Sequence, residues 1–115
     1  MAYNPKDYYF HKAKSENYAA RSAFKLEEMD QRFKILKPGQ QVLDLGAAPG
    51  SWSQYASRKV GARGKVLGID LQKITLKMPN AVFIQADLRD MQLADVMREH
   101  GFDLPFDIVM SDMAP

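Results

Sequence analysis

Cysteine is absent from the 115 residues. That excludes a disulfide scaffold, a thiolate metal site and a cysteine nucleophile. Long apolar runs are also absent. None approaches the roughly 20 residues that a membrane helix needs, and the polar, aromatic N-terminus has no apolar stretch that reads as a secretion signal. The expectation is a cytoplasmic protein with no membrane contact. Histidine is scarce: His11 and His100 have no metal-ligand spacing to each other or to carboxylates, so both read as structural or surface residues and no metal is expected. The glycine fingerprint of dinucleotide-binding loops, Gly-x-Gly-x-x-Gly, is incomplete. In "DLGAAPGSW" (44–52), Gly46 comes first, Ala48 stands where the second glycine belongs, and Pro49-Gly50 follow.

Hydrophobic residues make up 46% of the chain, enough for a packed core and too many for disorder. The length fits one domain or part of one. The formal net charge of +2 is unevenly spread. Up to residue 25, Lys6, Lys12, Lys14, Arg21 and Lys25 face only Asp7 and Glu16, and Tyr3, Tyr8, Tyr9, Phe10 and Tyr18 lie among them. Basic side chains neutralise phosphates and aromatic faces stack on unpaired bases. Residues 1–25 therefore read as an RNA-binding arm with Lys6, Lys12, Lys14 and Arg21 as contacts. A solvated arm with a few aromatics packed on the core is the competing reading.

The periodicity predicts a helix over 19–34, with Ala19, Ala23, Leu26, Met29 and Phe33 on one face and Lys25 at its edge. A turn at 37–41 precedes a short buried strand, "VLDL" (42–45). The glycine loop 46–50 leads into a helix from Ser51, closed by Gly61 and Gly64. "KVLGID" (65–70) and "AVFIQAD" (81–87) read as strands, and the connection 71–80 between them is ambiguous. A helix is expected over 90–101, with Asp90 as N-cap and Gly101 as stop. "FDIVMSD" (106–112), apolar on both faces, reads as a fourth strand. Strands alternating with helices imply an α/β, Rossmann-like fold: a mostly parallel sheet with helices on both faces. Four strands are fewer than such a domain usually has. A single incomplete domain, truncated after the fourth strand, is expected. Its open apolar edge would favour self-association, and the 115-residue polypeptide would be catalytically inactive.

Each strand ends on an aspartate: Asp44, Asp70, Asp87 and Asp112. An acid at the end of the second strand is the usual partner of ribose hydroxyls, and Asp70 stands 20 positions after Gly50. A pyrophosphate would need free backbone N–H groups, and Pro49 has none. Acidic strand ends suit a cation instead. An adenosine with a cationic, phosphate-free tail fits, and S-adenosylmethionine is such a ligand.

"RSAFKLEEMD", "KPGQQVLDLGAAPGSWSQYA", "VLGIDL", "ADLRD" and "FDIVMSDMAP", in that order, resemble the FtsJ/RrmJ-like ribosomal RNA 2′-O-methyltransferases over nearly the whole chain. One departure is visible: Ser51 stands where the family usually has a second glycine. The resemblance implies that Gly50 and Trp52 contact S-adenosylmethionine, with Asp44, Gly46, Ala47 and Pro49 of the loop. It implies that Asp70 binds the ribose, with Leu71 beside it, and that Asp87 meets the adenine amino group, with Leu88 alongside. Asp112 would touch the cofactor and act in catalysis, and Lys25 would be the first lysine of the family's Lys-Asp-Lys-Glu tetrad. The second lysine, the general base, and the glutamate would lie beyond residue 115. Expected partners are ribosomal RNA or the assembled large ribosomal subunit, with a uridine of large-subunit RNA as the methyl acceptor. Each residue also has a plainer reading: Trp52 as core, Asp87 as a helix cap, Lys25 as surface, Asp112 as a turn residue. A noncatalytic RNA- or nucleotide-binding module is the alternative function. A nicotinamide oxidoreductase is disfavoured by the broken glycine pattern.

Overall fold

The computed structural model describes residues 18–103 and 105–112. Lys6, Lys12, Lys14 and most of the expected basic arm lie outside the described residues. The elements run α1 (Ala23–Phe33), β1 (Gln41–Leu45), α2 (Ser51–Val60), β2 (Lys65–Asp70), β3 (Ala81–Gln85), a 3-10 turn (Leu88–Asp90), α3 (Leu93–Glu99) and β4 (Ile108–Ser111). All pairings are parallel, in the order β3-β2-β1-β4. The chain steps outward from β1 to β2 and β3, then returns to β4 on the other side of β1. The reversal of direction falls between β1 and β4, where open parallel sheets bind their ligands.

Two apolar layers cover the sheet. On one face, Leu26 of α1 and Trp52, Tyr55, Ala56 and Val60 of α2 pack on Val42, Val66 and Met110. On the other, Met97 of α3 and Phe102 pack on Leu43, Leu67 and Ile69. β1 and β2 are buried on both faces, which explains why they read as continuous apolar runs. β4 has one neighbour, and its Val109 is 60% exposed. Among the described residues no helix is long and apolar enough to cross a membrane.

Several sequence expectations change at the element ends. The first helix begins at Ala23, not 19; the segment before it forms a turn, with the Phe24 and Lys25 N–H groups donating to the Arg21 and Ser22 carbonyls at 3.0 and 3.1 Å, and is held against α2, where the Ala19 N–H donates to Gln54 Oε1 at 2.6 Å and Trp52 Nε1 donates to the Ser22 carbonyl at 2.9 Å. Phe33 is not core; it stands 65% exposed, with the Arg32 guanidinium 5.2 Å above its ring. The strand expected to reach residue 87 stops at Gln85. Asp90 is no N-cap: it lies inside the 3-10 turn, which Asp87 caps, and α3 starts after Gln92. The fourth strand covers 108–111, shorter than the apolar run suggests.

The connection 71–80 is neither helix nor strand. It runs over the glycine loop: a Cβ built on Gly50 would lie 2.7 Å from Leu76 Cδ1 and 3.3 Å from Ile74 Cγ2. Gly50 also has φ +108, a region that L side chains rarely adopt. Gly50→Ala is therefore expected to cost about 1–3 kcal/mol from backbone strain alone, measured as a drop in the denaturation midpoint at unchanged m-value.

Candidate active site

The glycine loop leaves β1 and consumes its own backbone donors. The N–H groups of Gly46 and Ala47 both donate to the Ile69 carbonyl, at 2.8 and 3.1 Å. The Ala48 N–H donates to Asp70 Oδ2 at 2.9 Å. Pro49 has no N–H. Four consecutive positions thus offer an incoming anion no free donor, which removes the cradle that a pyrophosphate requires. The place of the missing second glycine is taken by a residue whose amide is bonded to the strand-end acid.

Asp44 is the deepest acid of the site, 1% exposed. Its Oδ2 accepts from Ser53 Oγ at 2.7 Å. Its Oδ1 is buried and has no hydrogen-bond partner. Burial is the main cause that pushes the Asp44 carboxyl up from 3.8 to about 6; the nearby charges of Asp112 and Asp70 add to the rise, and the Ser53 hydrogen bond opposes it. A buried carboxylate oxygen that lacks a donor is costly. It is therefore a position that a cationic donor stabilises. Asp44 opens into a small polar cleft lined also by Ser22, Gly46, Ala47, Ala48, Ser51, Trp52 and Asp112.

Beyond Asp70 lies a second cleft of about 410 Å3, lined by Gly46, Ile69, Asp70, Leu71, Ala86, Asp87, Leu88 and Arg89. Asp70 is half-buried and holds the loop on one side and the start of the connection on the other, accepting from Ala48 N–H and, at 2.7 Å, from Gln72 N–H. Leu71 (66% exposed) and Leu88 (36% exposed) present apolar surface in this cleft, an arrangement that suits a flat heteroaromatic ring. Asp87 caps the 3-10 turn through the Arg89 N–H at 3.0 Å and pairs with the Arg89 guanidinium at 2.6 Å. The side-chain hydrogen bonds from Arg89 hold the Asp87 carboxyl down at about 2.

The strand ends thus bring together the acids expected from the sequence. Gly46 and Ala47 line the clefts, and Gly50 turns the loop. Pro49 is exposed and lines neither. Trp52 does two things: it is core, 6% exposed, and it lines the Asp44 cleft. Lys25 is not in that cleft. It is exposed on the first turn of α1, where it lines a separate hollow with Arg21, Phe24 and Glu28. Ser22, Ser53 and Arg89 escaped the sequence reading, which met Ser51 only as the start of a helix and a departure from the family's second glycine. The signal for Ser53 is a hydroxyl in the first turn of the helix that follows a strand-end acid; Ser22 and Ser51 carry no signal of their own, because they meet only in the fold.

The described geometry agrees with comparisons to known proteins. The model of the FtsJ-like methyltransferase family matches residues 18–115. The chain is 70% identical over 115 residues to ribosomal RNA large subunit methyltransferase E of Bdellovibrio bacteriovorus, covering all of this chain and 59% of that protein. It is 53% identical to the protein of the same name from Syntrophobacter fumaroxidans, covering all of this chain and 58% of that one. A crystal structure described as a ribosomal RNA methyltransferase from Plasmodium falciparum superposes with TM-score 0.73 at 33% identity, over 85% of this chain and 57% of that one. The chain therefore spans less than two thirds of the length of these relatives. With a family match over 98 of its residues (18 through 115), the chain belongs to the FtsJ-like methyltransferase family.

Proposed function

We propose that the protein transfers a methyl group from S-adenosylmethionine to a ribose 2′-hydroxyl of RNA, with large-subunit ribosomal RNA as substrate and a uridine as acceptor. The observation that carries the reading is the buried, unpartnered Asp44 Oδ1 beside loop positions 46–49, which offer no free N–H group. Such a site accepts an ammonium and rejects a phosphate. The residues present fit the cofactor: Asp44 takes the cationic amino group, Asp70 the ribose hydroxyls, and Leu71 and Leu88 flank the base, whose amino group meets Asp87. The names of the close relatives support the RNA substrate.

When bound, S-adenosylmethionine supplies an activated methyl group on a sulfonium. The work left to the protein is positioning. Asp112, exposed after β4 and lining the same cleft as Asp44, orients the acceptor hydroxyl. Lys25, on the first turn of α1, and Arg21, just before it, are exposed and line one hollow, where they meet RNA phosphate. The sequence adds Lys6, Lys12 and Lys14 as further candidates for phosphate contact. Trp52 seals the inner wall of the cleft against water.

Calorimetry with S-adenosylmethionine and with NAD tests the cofactor, and methyl transfer from labelled S-adenosylmethionine to large-subunit ribosomal RNA tests the reaction. Binding of NAD in place of S-adenosylmethionine would overturn the reading. Asp70→Ala removes the acceptors for the ribose and is expected to weaken S-adenosylmethionine by roughly 10- to 100-fold, the range for losing a charged hydrogen-bond partner. Because Asp70 also holds the Ala48 amide, the checking measurement compares S-adenosylhomocysteine with its 2′,3′-dideoxy form. The wild type discriminates between them and the variant does not.

A further inference from the structure

Ser51 directly follows the glycine loop, is 2% exposed, and its Oγ lies 2.7 Å from Ser22 Oγ. The next residue, Trp52, donates from Nε1 to the Ser22 carbonyl at 2.9 Å. Gln54 accepts from the Ala19 N–H at 2.6 Å, and the Arg58 guanidinium stands 4.6 Å over the Tyr18 ring. The first two turns of α2 thus grip the segment that enters α1. Farther along, these two helices meet through Leu26, Met29, Trp52 and Tyr55, and through Asp30 of α1, whose Oδ2 accepts from the Tyr55 hydroxyl at 2.8 Å and lies 3.8 Å from Lys59 Nζ. Asp30 lies five residues, more than one turn, beyond Lys25; Leu26, beside Lys25, makes apolar contact, which is non-directional. Hydrogen bonds at these distances fix orientation as well as distance. Lys25 lies three residues beyond Ser22, about one helical turn, so the rotation of that turn sets the direction in which its side chain leaves the helix.

We infer that Ser51 is a positioning residue: through Ser22, and together with Trp52, it ties the Lys25-bearing turn of α1 to the cofactor loop. The loop and the RNA-facing lysine then move as one body. The same two hydroxyls line the cleft with Asp44 and Asp112. The tie therefore sits beside the reacting centre, where displacement of about 1 Å in a positioning group can cost a hundredfold in rate. The rate part of this inference rests on the methyl-transfer reading; the mechanical part does not.

The test uses the full-length protein with Ser51→Ala, Ser22→Ala and Trp52→Phe, each alone and combined with Lys25→Met. Ser51→Ala is expected to lower kcat for methyl transfer about tenfold and to leave the KM for S-adenosylmethionine within about twofold. In the Lys25→Met background the same change should alter the rate less than about twofold, because the tie then has nothing to position. Losses that simply multiply in the double variant would overturn the inference. Hydrogen exchange is the second readout. Amides 23–26 should exchange faster in Ser51→Ala and Ser22→Ala, and Trp52→Phe should do the same while preserving the ring. Unchanged exchange in all three would overturn the inference as well. If the wild type shows no methyl transfer, the functional reading falls, and hydrogen exchange alone still decides whether the tie exists.

Discussion

Asp44→Asn should make the ligand-free protein more stable at pH 8 and at the same time weaken S-adenosylmethionine by tenfold or more. The folded protein holds the Asp44 carboxyl at about 6 against an ordinary value of 3.8, chiefly by burial. A carboxyl raised on folding favours the folded state below the unfolded value. That advantage is lost as pH rises from about 4 through about 6, and above this window the buried charge is a constant cost. At about 1.4 kcal/mol per pH unit, the cost is about 3 kcal/mol. Asparagine keeps an oxygen for Ser53 Oγ and removes the charge. Its gain should therefore appear at pH 8 and vanish at pH 4 in chemical denaturation. Binding has the opposite pH dependence. The cationic ligand needs the ionised carboxylate, so wild-type affinity should be roughly tenfold weaker at pH 5 than at pH 7, and the variant should show no such inflection. Equal stability of the two proteins at pH 8, or a flat wild-type binding profile, would remove Asp44 from the cofactor site.

Asp112→Asn should lower the single-turnover rate of methyl transfer by roughly 10²- to 10³-fold, the size of effect seen when one preorganised polar group is removed from a reacting centre. The reason lies in its position: of the four acids at the strand ends it is the exposed one, and it lines the Asp44 cleft. The same substitution removes one of the charges that raise Asp44. The pH inflection of S-adenosylmethionine binding should therefore move down, while the rate falls at every pH. A rate within fivefold of wild type would show that Asp112 only terminates β4. A lost rate with an unmoved inflection would show that it acts at the acceptor without sensing Asp44.

The strands were legible because their cause is local. β1 and β2 lie in the middle of a parallel sheet, both faces must be apolar, and "VLDL" and "KVLGID" say so residue by residue. Asp70, the last residue of β2, and Asp112, just after β4, were legible for the same reason, each as a charge that ends an apolar run. The loop "GAAPG" even excluded the wrong ligand, since a proline without an N–H has that property in any fold.

What the fold alone decided was how polar groups are shared between elements distant in sequence. In place of the first helix's expected opening turn stands a segment held against α2, where Ala19 and Ser22 bond to Gln54 and Trp52, more than 29 residues away. Asp87 was expected as either cap or ligand contact; its carboxyl caps the turn and holds Arg89 as well. Asp44 is an ordinary strand-end acid until the sheet closes around it and leaves one oxygen dry. The Ser22–Ser51 pair does not exist before α1 and α2 dock. Apolar periodicity is a one-dimensional property, because burial follows from the spacing of residues along one element. Hydrogen-bond satisfaction and desolvation are three-dimensional, because each depends on which partner the rest of the chain delivers.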